Sequence, residues 1–147
     1  MALRHARDGV LICDTGPLVA ALNTRDPHHR SCAAVLREHA GELTLPAPVV
    51  TETALFVLGR FGPGAQASFL EDVATGSFDV LDLEPDDHRR VADLCRKYAD
   101  LPLDQVDAAL IACAERYAQR AVASLDRRHI AVVQLADGGY LDLVPEP

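Results

Sequence analysis

Short apolar runs alternate along this chain with longer amphipathic stretches, and turn-forming residues separate them. Val10–Cys13 is purely apolar and stops at Asp-Thr-Gly-Pro, which predicts a buried strand running into a turn. Pro17–Asn23 predicts a short helix with Pro in its first turn. Asp26 and Pro27 read as the N-cap and first residue of a helix reaching about His39. Leu43–Leu45 is a brief strand stopped by Pro46 and Pro48. A helix over Val49–Leu58 closes at Gly59 and the Gly62-Pro63-Gly64 breaker, and another over Gln66–Thr75 closes at Gly76. Phe78–Leu83 alternates as a strand does. Asp86–Tyr98 spaces Val91, Leu94, Cys95 and Tyr98 as one helix face. Leu103–Ala118 is the clearest helix, while Ala121–Leu125, Ile130–Leu135 and Leu141–Val144 are strand-like.

Strands alternating with one or two helices predict an α/β sandwich with a mostly parallel sheet covered on both faces. In such sheets, sites form beyond the carboxyl ends of the strands. The length of 147 residues suits one domain able to bury roughly 70% of its unfolded surface. Hydrophobic residues at 49% and charged residues at 24% exclude disorder, a fibre and a disulfide scaffold. The 4 cysteines, Cys13, Cys32, Cys95 and Cys113, lack CxxC spacing and read as small buried hydrophobes rather than a zinc or redox site. No apolar run approaches the 18 or so residues of a membrane span, and the first residues lack the apolar core of a signal peptide, so the expected location is the cytoplasm.

The net charge of -8, from 22 acids and 14 bases, argues against an open phosphate-coating surface. It leaves room for an enzyme that meets phosphates through bound metal ions. The acids are most informative where they stand alone. Asp14 is isolated between Val10 and Thr24, Glu52 between Pro46 and Gly59, and Asp107 within Val106–Ala114; Asp126 ends the apolar segment Ala121–Leu125. Each has an ordinary structural reading. Asp14 fits a helix cap, Glu52 a solvated stripe beside Thr51 and Thr53, Asp107 a first-turn acid favoured by the helix dipole, and Asp126 the start of a turn with Arg127 and Arg128. As a set they fit one crevice, with Asp14 and Asp126 at strand ends and Glu52 and Asp107 in early helical turns. Four acids in one crevice repel each other, and all-oxygen ligands suit Mg²⁺ or Mn²⁺.

Four blocks carry a family likeness: VLICDTGPLVAALNTRDPHH, LPAPVVTETALFVLGRFG, DLPLDQVDAALIACAERY and ASLDRRH. In that order and spacing they resemble the PIN-domain ribonucleases, and most closely the toxin subunit of bacterial VapBC toxin–antitoxin pairs. The likeness runs from Val10 to Val144 and makes Met1–Gly9 an N-terminal extension to a nuclease domain over residues 10–147. It implies a central, mostly parallel sheet of about five strands. It also implies a homodimer, a small antitoxin protein as partner, and Mg²⁺- or Mn²⁺-dependent cleavage of RNA. The family's acids fall on Asp14, Glu52, Asp107 and Asp126, and Thr15 and Ser124 match hydroxyl positions that order metal or water. Metal-activated water, rather than a protein nucleophile, would attack phosphorus and leave 5′-phosphate and 3′-hydroxyl ends. Asp104 departs from the pattern. It reads as an N-cap first, with a fifth rim acid or a bystander as alternatives.

Rival readings are weaker. The D-T-G of aspartic proteases belongs to an all-β scaffold, and a phosphoacceptor receiver domain needs a Lys that Lys97, mid-helix, does not supply. A silent PIN fold that only binds RNA or protein would be marked by lost acids, and all four are present. His28 and His29 are adjacent in a predicted helix and point apart, so both read as exposed polar positions. His5, His39 and His88 have no partner visible in the sequence.

Overall fold

The computed structural model describes residues 9–147. The extension Met1–Gly9, with His5, lies outside them except for Gly9. The chain runs β1 (Leu11–Cys13), α1 (Thr15–Leu22), α2 (His29–Glu38), β2 (Leu43–Pro46), α3 (Ala47–Phe61), α4 (Pro63–Ala74), β3 (Asp79–Leu81), α5 (Pro85–Lys97), α6 (Gln105–Arg116), β4 (Ala121–Ala123) and β5 (Asp142–Val144). Five strands form one sheet in the order β3-β2-β1-β4-β5, and every pairing is parallel. The expected α/β sandwich is therefore present, with β1 at the centre.

Strand periodicity sets the two layers. Ile12 joins a core built with Leu94, Leu110, Ile111 and Val122, on the α5–α6 side. Its neighbours Leu11 and Cys13 point the other way, into a core with Leu18, Leu45, Val49 and Phe69 on the side of α1 to α4. Burial on both faces explains why β1 reads as a continuous apolar run. Ile12 pairs with Val122 and Cys13 with Ala123. The backbone N–H of Asp14 then donates to the Ala123 carbonyl at 2.8 Å, carrying the β1–β4 ladder one step into the loops.

Several expectations need correcting. Asp26 does not cap α2. Its carboxylate accepts from the His28 N–H at 2.8 Å and its carbonyl from the His29 N–H at 3.0 Å, so a turn precedes a helix that starts at His29. His29 is not simply exposed, since its Nδ1 lies 3.0 Å from the Ala20 carbonyl and ties α2 to α1. His39 has a partner in Glu42 at 3.3 Å. Gly59 does not end its helix: α3 continues to Phe61 and stops at Gly62, whose φ of +89° favours glycine. An interior Gly costs about 1 kcal/mol, which burial of Val49, Thr53, Ala54 and Val57 along the same helix offsets. α6 begins at Gln105, two residues after the expected start.

Ile130–Leu135 is not a strand. Ile130 donates to the Asp126 carbonyl at 3.1 Å and Val133 to the Ile130 carbonyl at 3.3 Å, forming consecutive turns. Ile130 and Val133 are fully buried while Val132 is 50% exposed, a spacing of three rather than two. Cys13, Cys32 and Cys113 are buried and Cys95 partly so, all as free thiols. No helix of the described residues is long and apolar enough to cross a membrane.

Candidate functional site

Asp14 follows the last residue of the central strand and is only 6% exposed. It caps α1, with Oδ1 accepting from the Thr15 N–H at 2.8 Å, while Oδ2 accepts from the Ser124 hydroxyl at 2.8 Å. The capping reading of Asp14 holds, and its second oxygen is turned to the loop after β4. Ser124 lies beyond β4 and is fully buried; its Oγ also accepts from the Asp126 N–H at 3.1 Å. One hydroxyl thus couples the loops after β1 and β4, the two strands whose ladder brings those loops together.

Asp107 is the third residue of α6. Asp104 caps that helix by accepting from the Asp107 N–H at 2.9 Å, which bears out the cap reading of Asp104. Ala108 to Ala114 are all buried behind Asp107, so the helix start is fixed by packing and the carboxylate stays at its open end. Asp126 stands in the loop after β4, with its Oδ1 accepting from the His129 N–H at 3.0 Å, and with the His129 Nδ1 at 3.0 Å from both of its oxygens. Donor atoms of Asp107, Asp126 and His129 lie within 4.8 Å of one another, close enough to share a cation. Glu52, in the second turn of α3, is half-buried and outside that triad, but near enough to Asp14 to act on its charge.

Electrostatics register the convergence. Burial lifts the Asp14 carboxyl from 3.8 to about 6, against the hydrogen bonds from Ser124 and Thr15, and Glu52 and Asp126 add like charge. Burial likewise lifts Asp107 from 3.8 to about 7, with repulsion from Asp104, Asp14 and Asp126 adding to it. Two carboxyls held out of their ordinary range by burial and by neighbouring acids favour binding of a proton or a cation. Asp14, Glu52, Asp107 and Asp126 offer carboxylate oxygens, the chemistry that Mg²⁺ and Mn²⁺ prefer, so these acids fit such an ion.

The hydroxyls of Thr15 and Thr53 meet beneath the site. The Thr53 hydroxyl donates to that of Thr15 at 3.2 Å, both buried, which ties α3 to the start of α1 under the site. The isolation of acids among apolar residues does not mark Thr53 or His129 as parts of the site. The signal for His129 was its position three residues after Asp126 in D-R-R-H; for Thr53 there was only its place beside Glu52. Two openings adjoin the acids. A groove of about 1010 Å³ includes Glu52, Thr51, Leu55, Phe56 and His88 in its walls. A cleft of about 410 Å³ beyond Asp126 includes His28, Arg127, Arg128 and Glu146.

The parallel sheet excludes the all-β protease scaffold, and Lys97 is engaged over the Tyr98 ring at 5.4 Å. The pattern of the PIN domain family matches residues 11–135. The chain belongs to that family. Ribonuclease VapC26 of Mycobacterium tuberculosis is 28% identical over 135 residues, covering 92% of this chain and all of that protein. Among solved structures, the M. tuberculosis VapC20, described as a sarcin-ricin loop cleaving toxin, superposes with a TM-score of 0.70 at 16% identity, over 76% of this chain and 86% of that one. The DNA-bound VapBC of Salmonella typhimurium gives 0.67 at 12% identity, over 91% and 97%. The structural likenesses speak for the PIN fold.

Proposed function

We propose that this PIN domain chain is a metal-dependent endoribonuclease, the toxin of a toxin–antitoxin pair, with residues 10–147 as its nuclease domain. The observation that carries the reading is the convergence of Asp14, Asp107 and Asp126, with Glu52 beside them, where two carboxyls are lifted to about 6 and about 7. The ribonuclease name of the VapC26 relative supports the reaction class. A cation held by Asp14, Asp107, Asp126 and Glu52, Mg²⁺ or Mn²⁺, would supply Lewis-acid polarisation of a scissile phosphate and a more acidic attacking water.

The chain's own residues supply the order. Thr15 and Ser124 clamp Asp14, and Asp104 fixes the backbone from which Asp107 projects. Ser124 is no nucleophile: it is fully buried and its hydroxyl proton goes to Asp14. Attack by water on phosphorus, with the P–O3′ bond breaking and the 3′-oxygen taking up a proton, would leave 5′-phosphate and 3′-hydroxyl ends. Purified protein should cut RNA with Mg²⁺ or Mn²⁺, and chelator should abolish the cutting until the ion is restored. Cutting that persists in chelator overturns the reading.

An acidic enzyme also needs cations to hold a polyanion. Arg89, Arg90, Arg96, Arg116 and Arg120 are spent on carboxylates. Among the described residues Arg128 makes no ion pair, and Arg127 is steadied by the Pro145 carbonyl at 2.8 Å; both face the cleft beyond Asp126. Arg128→Ala should raise KM for RNA with kcat little changed. The slope of log affinity against log salt should fall by about 0.7 to 0.9, one phosphate's worth. A KM and salt slope equal to wild type would remove Arg128 from the RNA path.

The partner we assign is a small antitoxin whose tail lays apolar residues along the Leu55–Phe56 groove and sets an Arg or Lys beside Asp14 and Asp107. The α3–α4 hairpin also exposes Leu58, Phe61 and Leu70, apolar area suited to a second copy of the chain in a homodimer. The expected place of action is the cytoplasm.

A further inference from the structure

Asp14, Asp107 and Asp126 are not held alike. Asp14 is buried and clamped from two sides, and Asp107 projects from a helix whose next seven residues are buried. Asp126 stands in a loop with its side chain 33% exposed. A loop carboxylate at that exposure samples several rotamers, and every one but the productive orientation weakens a shared ion. Something must hold it.

The structure assigns that task to His129, and we propose it as the positioning residue for Asp126; the inference rests on the metal reading of the acids. Carboxylate oxygens only accept, so the nitrogen set 3.0 Å from both of them, Nδ1, carries the proton and donates. The backbone N–H of the same residue donates to Oδ1 at 3.0 Å, so two donors from His129 fix the carboxylate on the side of Asp107. The turn that brings His129 back over Asp126 does not depend on the imidazole. It is closed by the Ile130 N–H on the Asp126 carbonyl at 3.1 Å and anchored by the buried Ile130 and Val133. His129 itself is 34% exposed at the side chain, so replacing it leaves that anchor in place. Partners that orient a ligating carboxylate typically carry a factor of about 10 to 100 in metal affinity.

The competing role is direct ligation, since a nitrogen of His129 lies within 4.8 Å of the Asp107 and Asp126 oxygens. Two amide replacements separate the roles. Asn presents an N–H at the place of Nδ1, and Gln presents its terminal group near the place of Nε2. The experiment is titration of wild type, His129→Ala, His129→Asn and His129→Gln with Mn²⁺, reading the concentration that gives half of the maximal thermal stabilisation. A parallel series measures RNA cleavage against Mn²⁺. His129→Ala should raise the half-saturating concentration about 10- to 100-fold, with cleavage recovering at saturating Mn²⁺. His129→Asn should recover most of the affinity and His129→Gln little. An unchanged half-saturation in His129→Ala overturns the positioning role, as does recovery in Gln but not in Asn, which would make His129 a ligand. A wild type that does not respond to Mn²⁺ at all overturns the metal reading of the acids, a distinct result.

Discussion

Asp107→Asn should lower the rate of RNA cleavage by at least about 10²-fold, with the fold intact. The expectation follows from where Asp107 stands. Its carboxyl is lifted to about 7 by burial and then by Asp104, Asp14 and Asp126, so it lies where the negative charge of the crevice is concentrated. A cation placed there draws on all of these groups, and removing one charge removes a preorganised electrostatic contribution of the kind worth about 10² to 10³ in rate. Asn keeps the side chain's shape, and the Asp104 carboxylate accepts from the Asp107 backbone N–H, which the substitution leaves alone. The buried run from Ala108 to Ala114 holds the helix in either case. Single-turnover cleavage of a labelled RNA at saturating Mn²⁺ measures the effect, with thermal unfolding as the check on folding. A rate equal to wild type would take Asp107 out of the machinery.

The acids were legible because isolation among apolar neighbours is a property of the sequence itself. Asp14, Glu52 and Asp107 each stand out by that criterion and Asp126 as the end of an apolar segment, and the parallel fold brings the loops after β1 and β4 together at Asp14 and Ser124. Asp104 was legible as a cap because capping is local. The misreadings were equally local signals that tertiary structure overrode. Asp26-Pro27 offers a good helix start, yet the carboxylate closes a turn on His28 instead, and His29 is drawn to a carbonyl of α1 nine residues away. The β-branched residues of Ile130–Val133 suggest a strand, but the sheet already has its edge in β5, and a compact turn buries Ile130 and Val133 as well. What the sequence does not display is support from a distance. The Thr53–Thr15 hydroxyl pair joins residues 38 apart, and nothing in either neighbourhood marks it.

The repulsion that marks the site should also be measurable as instability. In the metal-free protein the Asp14 carboxyl is lifted from 3.8 to about 6, first by burial and then by Glu52 and Asp126. A folded value above the unfolded one means that the folded state binds protons more tightly. This group therefore favours folding most below about pH 3.8, and that advantage is lost as the pH rises through about 6. At pH 7.5 the whole cost is present. About two units at 1.36 kcal/mol each sets an upper figure of roughly 3 kcal/mol, already net of the hydrogen bonds from Ser124 and Thr15, and the poorer fit of an amide than of a protonated carboxyl in this pocket brings the expected gain from Asp14→Asn down to about 1 to 2 kcal/mol. Asn is suited to the place, since it caps helices as well as Asp does and the Ser124 hydroxyl is free to rotate and accept from its amide. Without metal, Asp14→Asn should melt about 3 to 6 °C above wild type at pH 7.5, and the gap should close as the pH is lowered towards 4. Asp14→Ala should fall below wild type at every pH, because it loses the cap and leaves the buried Ser124 hydroxyl proton without its acceptor. Metal should invert the order: at 100 times its dissociation constant a bound ion adds about 2.7 kcal/mol to the wild type, and Asp14→Asn should gain much less. Thermal unfolding of the three proteins in chelator and in Mn²⁺ decides it. If Asp14→Asn melts below wild type in chelator, Asp14 is a brace of the fold and not a strained member of a cation site.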